Sequence, residues 1–475
     1  MDILRPKVQL LDENHKKEVI EEAKDILYKL GVFIENKQAA ALLSDQGVKN
    51  ENQRYYIPHD LVEKCLKTVP NEITFYDREG NYAFTLKDDR IHFDPGSAAI
   101  FILDENTGKI REPLLEDFIR FTQIVDQCNN IEAQSTAIVY SDVPKQAQDW
   151  HRLFTALRYS HKPVVTGTFR KESFKIMKDL LLVCRNSEED LKNKPLAIFD
   201  ACPSPPLNWS DLTTQSVIDA ALSGIPSEFI SMPMAGSTSP ITIIGSVTQA
   251  VSENLAGVVI SQLAKEESPV IWGGSPSVMD MRYGTTPMGD TGTFMINLCS
   301  VEIGKFLGMP THAYMGLSDS KILDYQAGME TSMGALLAGL SGINMISGLG
   351  MLDFESCQSI EKLIIDNEIA GMIKHFTNGV QEHEKPYASK ILADFYNRNE
   401  LLSHPTTLSL FRKEHYIVSP LIARMTRNEW EDKGSLPTRK RAFEMIPKLI
   451  KKESSSPINE SIAIELEKIA KTNLK

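Results

Sequence analysis

The sequence lacks an excess of positive charge and lacks long apolar runs. Its 475 residues carry 51 Lys and Arg against 63 Asp and Glu, a formal net charge of −12 at pH 7. Nucleic-acid-binding proteins usually cluster positive charge to neutralise phosphates, so we expect no nucleic-acid partner. No stretch reaches the roughly 18 apolar residues of a membrane span, and the first residues show no apolar signal segment. We therefore expect a soluble, cytoplasmic chain with no membrane partner.

The spacings of common metal and nucleotide sites are missing as well. The six cysteines form no CxxC pair, and the ten histidines form neither HxH nor HExxH. These absences predict reduced, mostly buried thiols and no bound metal, although a zinc site assembled from the distant Cys202, Cys299 and Cys357 stays open. P-loop and GxSxG motifs are absent too, which disfavours phosphate-cradling and serine-nucleophile chemistry. We expect no tightly bound cofactor.

The first 114 residues predict helices followed by a small antiparallel sheet. Val19, Ile20, Ala23, Ile26, Leu27 and Leu30 lie at helical spacing, with Asp12 as the predicted N-cap and Gly31 as the stop. A short helix is predicted over 38–44, and a third helix follows Pro58 with Asp60 as its N-cap. Short β-like runs separated by turn residues then cover 73–76, 82–86 and 100–103.

Residues 115–380 alternate short apolar strands with longer helical patterns, as in a parallel α/β protein. This rhythm favours a (β/α)8 TIM barrel, and the absence of GxGxxG after the first strand disfavours a doubly wound open sheet. The eighth strand is not located. Residues 381–475 predict a helical C-terminal extension that packs on the barrel. The candidate strands are Ser135–Tyr140, Pro163–Thr166, Leu196–Ala201, Glu228–Met232, Pro269–Trp272, Thr311–Met315 and Ile343–Ile346.

Chemistry in a parallel barrel sits at the carboxyl ends of the strands and in the loops that follow. The residues at these ends are mostly aromatic, soft or small, and few are strong bases, which indicates a site poor in acid–base groups. Trp272, which precedes Gly273 and Gly274, could form one wall of an aromatic cage for a quaternary ammonium ion. Packing of the same indole between barrel and helix is the alternative.

Short motifs in a fixed order from Leu30 to Trp430 resemble those of the trimethylamine methyltransferase family. The sharpest are Ala235-Gly-Ser-Thr-Ser-Pro-Ile-Thr242 and Glu253-Asn-Leu-Ala-Gly257. The remaining motifs are Leu30-Gly-Val-Phe-Ile34, Tyr56-Ile-Pro58, Leu61-Val62, Val69-Pro70, Tyr76-Asp-Arg78, Leu103-Asp104, Thr107-Gly108, Asp142-Val-Pro144, Asp280-Met-Arg282, Asp319-Ser-Lys321, Asp324-Tyr-Gln-Ala-Gly-Met-Glu330, Glu361-Lys362, Asp366-Asn-Glu368 and His404-Pro-Thr-Thr407.

The resemblance implies a TIM barrel that moves a methyl group from a methylated amine to the cobalt of a separate corrinoid protein. Trimethylamine-specific members carry pyrrolysine, whereas this chain contains only the twenty standard residues. The resemblance therefore points to the non-pyrrolysine branch, which demethylates quaternary amines such as glycine betaine, proline betaine or carnitine. The corrinoid (cobalamin) would be supplied by the partner protein, and the barrel mouth would be its docking surface.

Transfer from a quaternary ammonium to Co(I) needs positioning rather than a general acid, because the leaving group is a neutral amine. Asp200 is the candidate counter-charge, and Arg282, His312 and the backbone N–H groups near Gly273 and Gly274 are candidates for a substrate carboxylate. No catalytic residue is assigned. The candidates for the ammonium end, each with core packing as its alternative, are Phe93, Phe101, Trp272, Tyr314 and Phe354.

Three rival functions stay open at this point. A trimethylamine-type methylamine methyltransferase would use the same acceptor with a smaller donor. A corrinoid-independent barrel lyase or hydrolase predicts a perturbed acid or base in the barrel mouth. A betaine-binding or sensor protein on the same scaffold predicts binding without methyl transfer. A homo-oligomer is possible, although no interface signature is visible in the sequence.

Overall fold

The computed structural model describes residues 5–96, 98–383, 385–398, 400–452, 454 and 456–474. The helices are α1 (Glu13–Lys29), α2 (Lys37–Asp45), α3 (His59–Leu66), α4 (Leu115–Gln127), α5 (Gln148–Tyr159), α6 (Ser173–Val183), α7 (Glu188–Asn193), α8 (Asp211–Ser223), α9 (Ile243–Ala264), α10 (Thr291–Phe306), α11 (Tyr325–Ser341), α12 (Ile360–Thr377), α13 (Ser389–Arg398), α14 (Pro405–Glu414), α15 (Arg427–Asp432), α16 (Thr438–Lys451) and α17 (Glu460–Asn473).

The strands are short, two to five residues each. They are β1 (Val32–Ile34), β2 (Lys49–Glu51), β3 (Arg54–Tyr56), β4 (Ile73–Tyr76), β5 (Tyr82–Leu86), β6 (His92–Asp94), β7 (Phe101–Leu103), β8 (Ile110–Arg111), β9 (Gln134–Ser135), β10 (Val164–Thr166), β11 (Ala197–Ala201), β12 (Asn208–Trp209), β13 (Ser227–Phe229), β14 (Met234–Ala235), β15 (Val270–Ile271), β16 (Ser277–Val278), β17 (His312–Tyr314), β18 (Met345–Ser347), β19 (Met351–Leu352) and β20 (Cys357–Gln358).

The N-terminal helices follow their sequence signals closely. Asp12 caps α1, since its Oδ1 accepts a hydrogen bond of 2.9 Å from the His15 backbone N–H. Gly31 adopts a left-handed φ of +74° after the helix, and a Cβ there would meet the Tyr55 carbonyl oxygen at 3.0 Å. In α3, Pro58 occupies the N-cap position and Asp60 lies in the first turn, so the prediction of Asp60 as the cap is wrong.

The parallel strands form two sheets, and backbone hydrogen bonds connect these sheets to each other at both edges. In one sheet the spatial order is β15-β13-β11-β10-β9, and in the other it is β17-β18-β6. A parallel bridge between Trp272 and Thr311 joins β15 to β17. The backbone N–H groups of Glu132 and Ala133 donate to the Phe93 carbonyl, which joins β9 to β6. Each of the seven predicted strands overlaps a strand of the structure, and β6, which was not predicted, pairs in parallel with β18.

Residues two apart on a strand face the same side of the sheet. On these strands the earlier residue of such a pair belongs to an apolar layer and the later one to a polar layer. The polar layer lies towards the carboxyl ends and includes Asp94, Asp200 and Ser347. Two positions before Asp200 and Ser347, Ile198 and Met345 are buried with the β4–β5 hairpin in one apolar cluster, which also contains Phe75, Phe84, Ala133, Val165 and Ile271. Apolar packing therefore fills the amino-terminal half and leaves the polar half for chemistry.

Helix α9 supports the site from the outside. It has the length and hydropathy of a membrane span, but 83% of that apolar window is buried within the protein, as expected for a core helix. Gly257 in its middle permits close approach: a Cβ there would lie 2.6 Å from Trp209 Cζ2 and 2.9 Å from Phe229 Cε2. The glycine of the Glu253–Gly257 motif therefore sets the distance between α9 and the strands.

The C-terminal helices contribute unequally to the core. Helix α16 packs on α12 and α4, and α17 packs on α6 and α5. Ala442, Ile446 and Leu466 are the buried anchors of these contacts. By contrast, α14 and α15 have no buried residue. Because β6 lies within the first 114 residues, the parallel strand set begins before the predicted boundary of the middle unit.

Candidate functional site

A cavity of about 350 Å³ opens over the carboxyl ends of the parallel strands. Arg152, Phe169, Asp200, Tyr314 and Glu355 are the lining residues that bear charge or aromatic rings. Larger grooves occur elsewhere, such as one of about 480 Å³ beside α11 and α12 and one of about 590 Å³ lined by the segments before β11, β13 and β15. Functional groups on parallel strands come from the carboxyl ends and the loops after them, so the cavity at these ends is the candidate active site.

Three carboxyl groups lie beneath and beside this cavity. Asp200 pairs with Glu228 in the strand register, while Asp94 pairs with Ser347. Burial raises the pKa of Asp94 to about 7, despite hydrogen bonds from Ser347 and Gly96. Burial also raises the pKa of Glu228 well above its usual value, and the charges of Asp200 and Asp94 raise it further. Both effects disfavour the charged carboxylate of Glu228.

A buried hydrogen-bond chain runs through this carboxyl layer. The Ser347 hydroxyl donates to Asp94 Oδ2 and lies 2.8 Å from His312 Nε2. With the hydroxyl proton directed at Asp94, Nε2 of His312 donates in the second link and Nδ1 is left as an acceptor. That Nδ1 lies 3.6 Å from Glu228 Oε1. Burial lowers the pKa of His312 to about 3, so the ring is neutral.

Arg152 brings a buried positive charge to the same cavity. Its Nε donates to the Gln148 carbonyl at 2.9 Å and its Nη1 to the Thr136 carbonyl at 2.7 Å. The guanidinium carbon lies 4.5 Å from the centroid of the Phe169 ring. Burial lowers the pKa of Arg152 to about 10, so the group stays charged at neutral pH. A fixed guanidinium that has donors left over suits a carboxylate or another planar anion.

Glu355 reaches the cavity from the loop between β19 and β20. Ser275 Oγ, on the loop after β15, donates a hydrogen bond of 2.9 Å to Glu355 Oε1. Burial raises the pKa of Glu355 to about 7, an effect that the bond from Ser275 opposes and the charge of Asp319 reinforces. The cavity thus combines one guanidinium with carboxyl groups on several elements.

The structure brings three predicted site residues together. Asp200 and Tyr314 line the cavity. His312 lies below it, with its ring edge-on to Tyr314 at a centroid distance of 5.1 Å. Gly273 packs against His312, because a Cβ on this glycine would lie 2.8 Å from His312 Nδ1. Gly274 forms a parallel bridge with Ser231 at the strand ends.

The other predicted site residues lie elsewhere. Phe93 is fully buried among helix residues, and Trp272 is buried with Nε1 donating to the Ser300 carbonyl at 3.0 Å. Phe101 packs beside Leu103 and Leu352. The Phe354 ring lies under Lys321 Nζ, and the exposed Arg282 pairs with Asp280. Their substrate-binding roles stay predictions, and none of these five residues lines the cavity.

Sequence reasoning missed Asp94, Arg152, Phe169, Glu228 and Glu355. Of these, only Glu228 gave a usable signal, since it is a carboxyl residue inside a predicted apolar strand. The candidate cavity differs from the expected site poor in acid–base groups, because its carboxyl groups come from separate strands and loops. Among the described residues, no group of three or more His, Cys, Asp or Glu side chains could hold a metal ion. The alternative of a zinc site from Cys202, Cys299 and Cys357 is therefore not formed within the described part of the chain.

Comparison with known proteins gives one consistent family. A trimethylamine methyltransferase MttB of Desulfitobacterium hafniense (strain DSM 10664 / DCB-2) is 27% identical over 447 residues, covering 94% of this chain and 90% of the relative. A glycine betaine methyltransferase of Desulfitobacterium hafniense (strain Y51) is 28% identical over 444 residues, covering 93% and 92%.

The crystal structure of the monomethylamine methyltransferase MtmB of Methanosarcina barkeri aligns with a TM-score of 0.52 at 10% identity, over 94% of this chain and 88% of that chain. This likeness supports an α/β fold similar to that of MtmB. The sequence profile described as trimethylamine methyltransferase (MTTB) matches residues 3–473. The resemblance drawn from the motifs is thereby confirmed, and the chain belongs to the trimethylamine methyltransferase (MTTB) family of methyltransferases.

Proposed function

We propose that this methyltransferase transfers a methyl group from a carboxylate-bearing quaternary amine, of the glycine betaine, proline betaine or carnitine type, to Co(I) of a separate corrinoid protein. The observation that carries the proposal is the presence of Arg152 and two carboxyl groups, Asp200 and Glu355, in one cavity with Tyr314. A zwitterion with an ammonium and a carboxylate needs opposite charges within one small space.

We further propose a (β/α)8 barrel as the scaffold. Parallel pairings and bridges connect β9 through β15 and β17 to β6, and backbone hydrogen bonds from Glu132 and Ala133 to Phe93 connect β6 to β9, which supports a closed barrel. We keep the division into an N-terminal unit (1–114), a barrel (115–380) and a C-terminal helical extension (381–475). The one amendment is that β6, from the N-terminal unit, supplies a barrel strand.

The proposed reaction balances without a proton. The electron pair of Co(I) forms the cobalt–carbon bond, while the pair of the broken C–N bond stays on nitrogen, and a neutral tertiary amine leaves. The positive charge of the donor disappears in this step, so tight binding of the cation would stabilise the ground state over the transition state. Burial disfavours the charged form of Glu228 beneath the cavity, which limits that over-stabilisation.

The acceptor would reach the cavity from the side of the strand carboxyl ends. Exposed apolar side chains lie on the loops and helix starts that follow these ends: Phe169, Met232, Ile241, Tyr283 and Tyr325. Tyr283 and Tyr325 are 77% and 90% exposed. Apolar side chains around a cavity mouth suit a transient protein partner, which here would present the corrinoid.

The rival donors and functions fit less well. Trimethylamine has no carboxylate and would leave Arg152 without an anion, although several relatives, from Desulfitobacterium and Methanosarcina, are named for it. The raised pKa values of Asp94 and Glu355 are what a barrel lyase would show, but membership of a methyltransferase family favours methyl transfer. The glycine betaine methyltransferase among the relatives supports a betaine donor for this chain.

The proposal is tested by incubating the chain with a reduced Co(I) corrinoid protein and following visible absorbance. The donor panel is glycine betaine, proline betaine, carnitine, choline and trimethylamine. We expect methyl-cobalt formation with one carboxylate-bearing quaternary amine and none with trimethylamine. A partner shown to be competent with another methyltransferase, yet unmethylated across this panel, would contradict the proposal and return the function to the binding-protein alternative.

A further inference from the structure

The segment Asp353–Glu355 has an unusual backbone. Asp353, Phe354 and Glu355 have φ values of 51°, 55° and 69°, so three consecutive residues with side chains adopt the left-handed region. Each such residue brings its Cβ close to the backbone, and runs of them are rare outside glycine. We call this segment the left-handed turn. It persists because its surroundings hold it.

Lys321 and Ser320 provide that support. Lys321 Nζ lies 3.6 Å from the centroid of the Phe354 ring, 3.4 Å from Asp353 Oδ1 and 2.6 Å from the Asp319 carbonyl oxygen. The Asp353 backbone N–H donates to the Ser320 carbonyl at 3.0 Å. A single lysine thus covers the aromatic ring and pairs with the carboxylate of the same turn.

The turn aims Glu355 into the cavity. Its side chain lines the cavity and is held through Oε1 by Ser275. No described residue donates a hydrogen bond to the second oxygen, Oε2. A carboxyl group that lines the cavity and keeps one oxygen without a donor points to a ligand that supplies positive charge there.

Resting on the proposed function, we propose that Glu355 is the residue that makes the cavity selective for a cationic methyl donor. Its carboxylate would contact the methylated nitrogen end of the substrate, while Arg152 would hold the carboxylate end. Glu355 touches no partner protein and transfers no proton in this role. It distinguishes a trimethylammonium group from an uncharged group of the same shape.

Binding to the chain alone tests this role without the corrinoid protein. The ligand pair is glycine betaine and 3,3-dimethylbutanoate, in which carbon replaces the positive nitrogen; choline and 3,3-dimethylbutanol form a second pair. Calorimetric Kd values give the preference for the cation. We expect the unmodified chain to prefer the cation, and Glu355→Gln to lose at least about tenfold of that preference by weakening the cation only.

The matched control is Glu266→Gln, an exposed glutamate on the loop before β15, which should keep the full preference. Glu355→Asp retains the charge on a shorter side chain and should lose part of the preference, which covers the case of a Gln variant that does not fold. Equal weakening of both members of a pair, or an unmodified chain without preference for the cation, would overturn the inference. Cation preference without methyl transfer to cobalt would instead overturn the proposed function alone.

Discussion

Replacing Arg152 by Met removes the cavity's guanidinium while keeping a similar side-chain length. In the structure Nε and Nη1 each donate to a backbone carbonyl, so the remaining N–H groups can serve a substrate carboxylate. Hydrogen bonds to charged groups contribute about 1.5–3 kcal/mol each, and one or two of them would contribute about 3 kcal/mol. This loss corresponds to a fall of roughly 150-fold in kcat/KM for a betaine donor.

The assay compares donors that differ only in the carboxylate. The kcat/KM for methyl transfer from glycine betaine should fall roughly 150-fold. The Kd for choline, which lacks a carboxylate, should change far less. The substitution also leaves the carbonyls of Gln148 and Thr136 without their donors, so thermal unfolding must be measured beside the kinetics. Arg152→Lys keeps the charge and should recover part of the loss. An equal fall for both ligands would refute the carboxylate role.

Three further predictions concern the turn, the mouth and the pH dependence of stability. Lys321→Met should raise KM for the methyl donor more than it lowers kcat, because the left-handed turn loses the contacts of Lys321 with Phe354 and Asp353. Lys321→Arg keeps the positive charge and should bring KM part of the way back. The double change Tyr283→Asp and Tyr325→Asp should slow methylation of the corrinoid protein while leaving the Kd for glycine betaine unchanged. Burial would raise the pKa of Asp126, but hydrogen bonds from His161 and Ser454 outweigh it and hold the pKa well below its usual value. That stabilisation is present above the unfolded pKa and is lost as pH falls, so Asp126→Asn should lower Tm at pH 7 and differ less from the unmodified chain below about pH 4.

Much of the fold could be predicted because its signals are local. The apolar spacing of Val19 to Leu30 and the cap at Asp12 define α1, and each predicted strand is a short apolar run. Strand β6 was missed because its three residues, His92–Asp94, include only one apolar side chain. Its partner β18 lies far along the chain, and no local pattern reports such a pairing.

The site was harder to predict because it depends on which residues meet. Asp200 and Tyr314 stand at strand ends and were found by position, whereas Arg152 lies in the middle of a helix that reads as an ordinary amphipathic segment. Glu355 reaches the cavity through the left-handed turn. This turn contains no glycine, so the sequence gives no sign of a left-handed backbone there. Trp272, chosen for its chemistry, instead packs against α10, where a Cβ on Gly304 would lie 2.5 Å from its ring.

The central claim is that the methyl group leaves a betaine nitrogen and arrives on cobalt. The most direct measurement uses glycine betaine with ¹³C-labelled N-methyl groups, the Co(I) corrinoid protein and this chain, followed by NMR of the methyl-cobalt and amine products. If the methyl group moves from glycine betaine to cobalt, we expect equal amounts of labelled methyl-cobalt and dimethylglycine, formed only when the chain is present. Dimethylglycine without labelled cobalt, or labelled cobalt at the same rate without the chain, would contradict it.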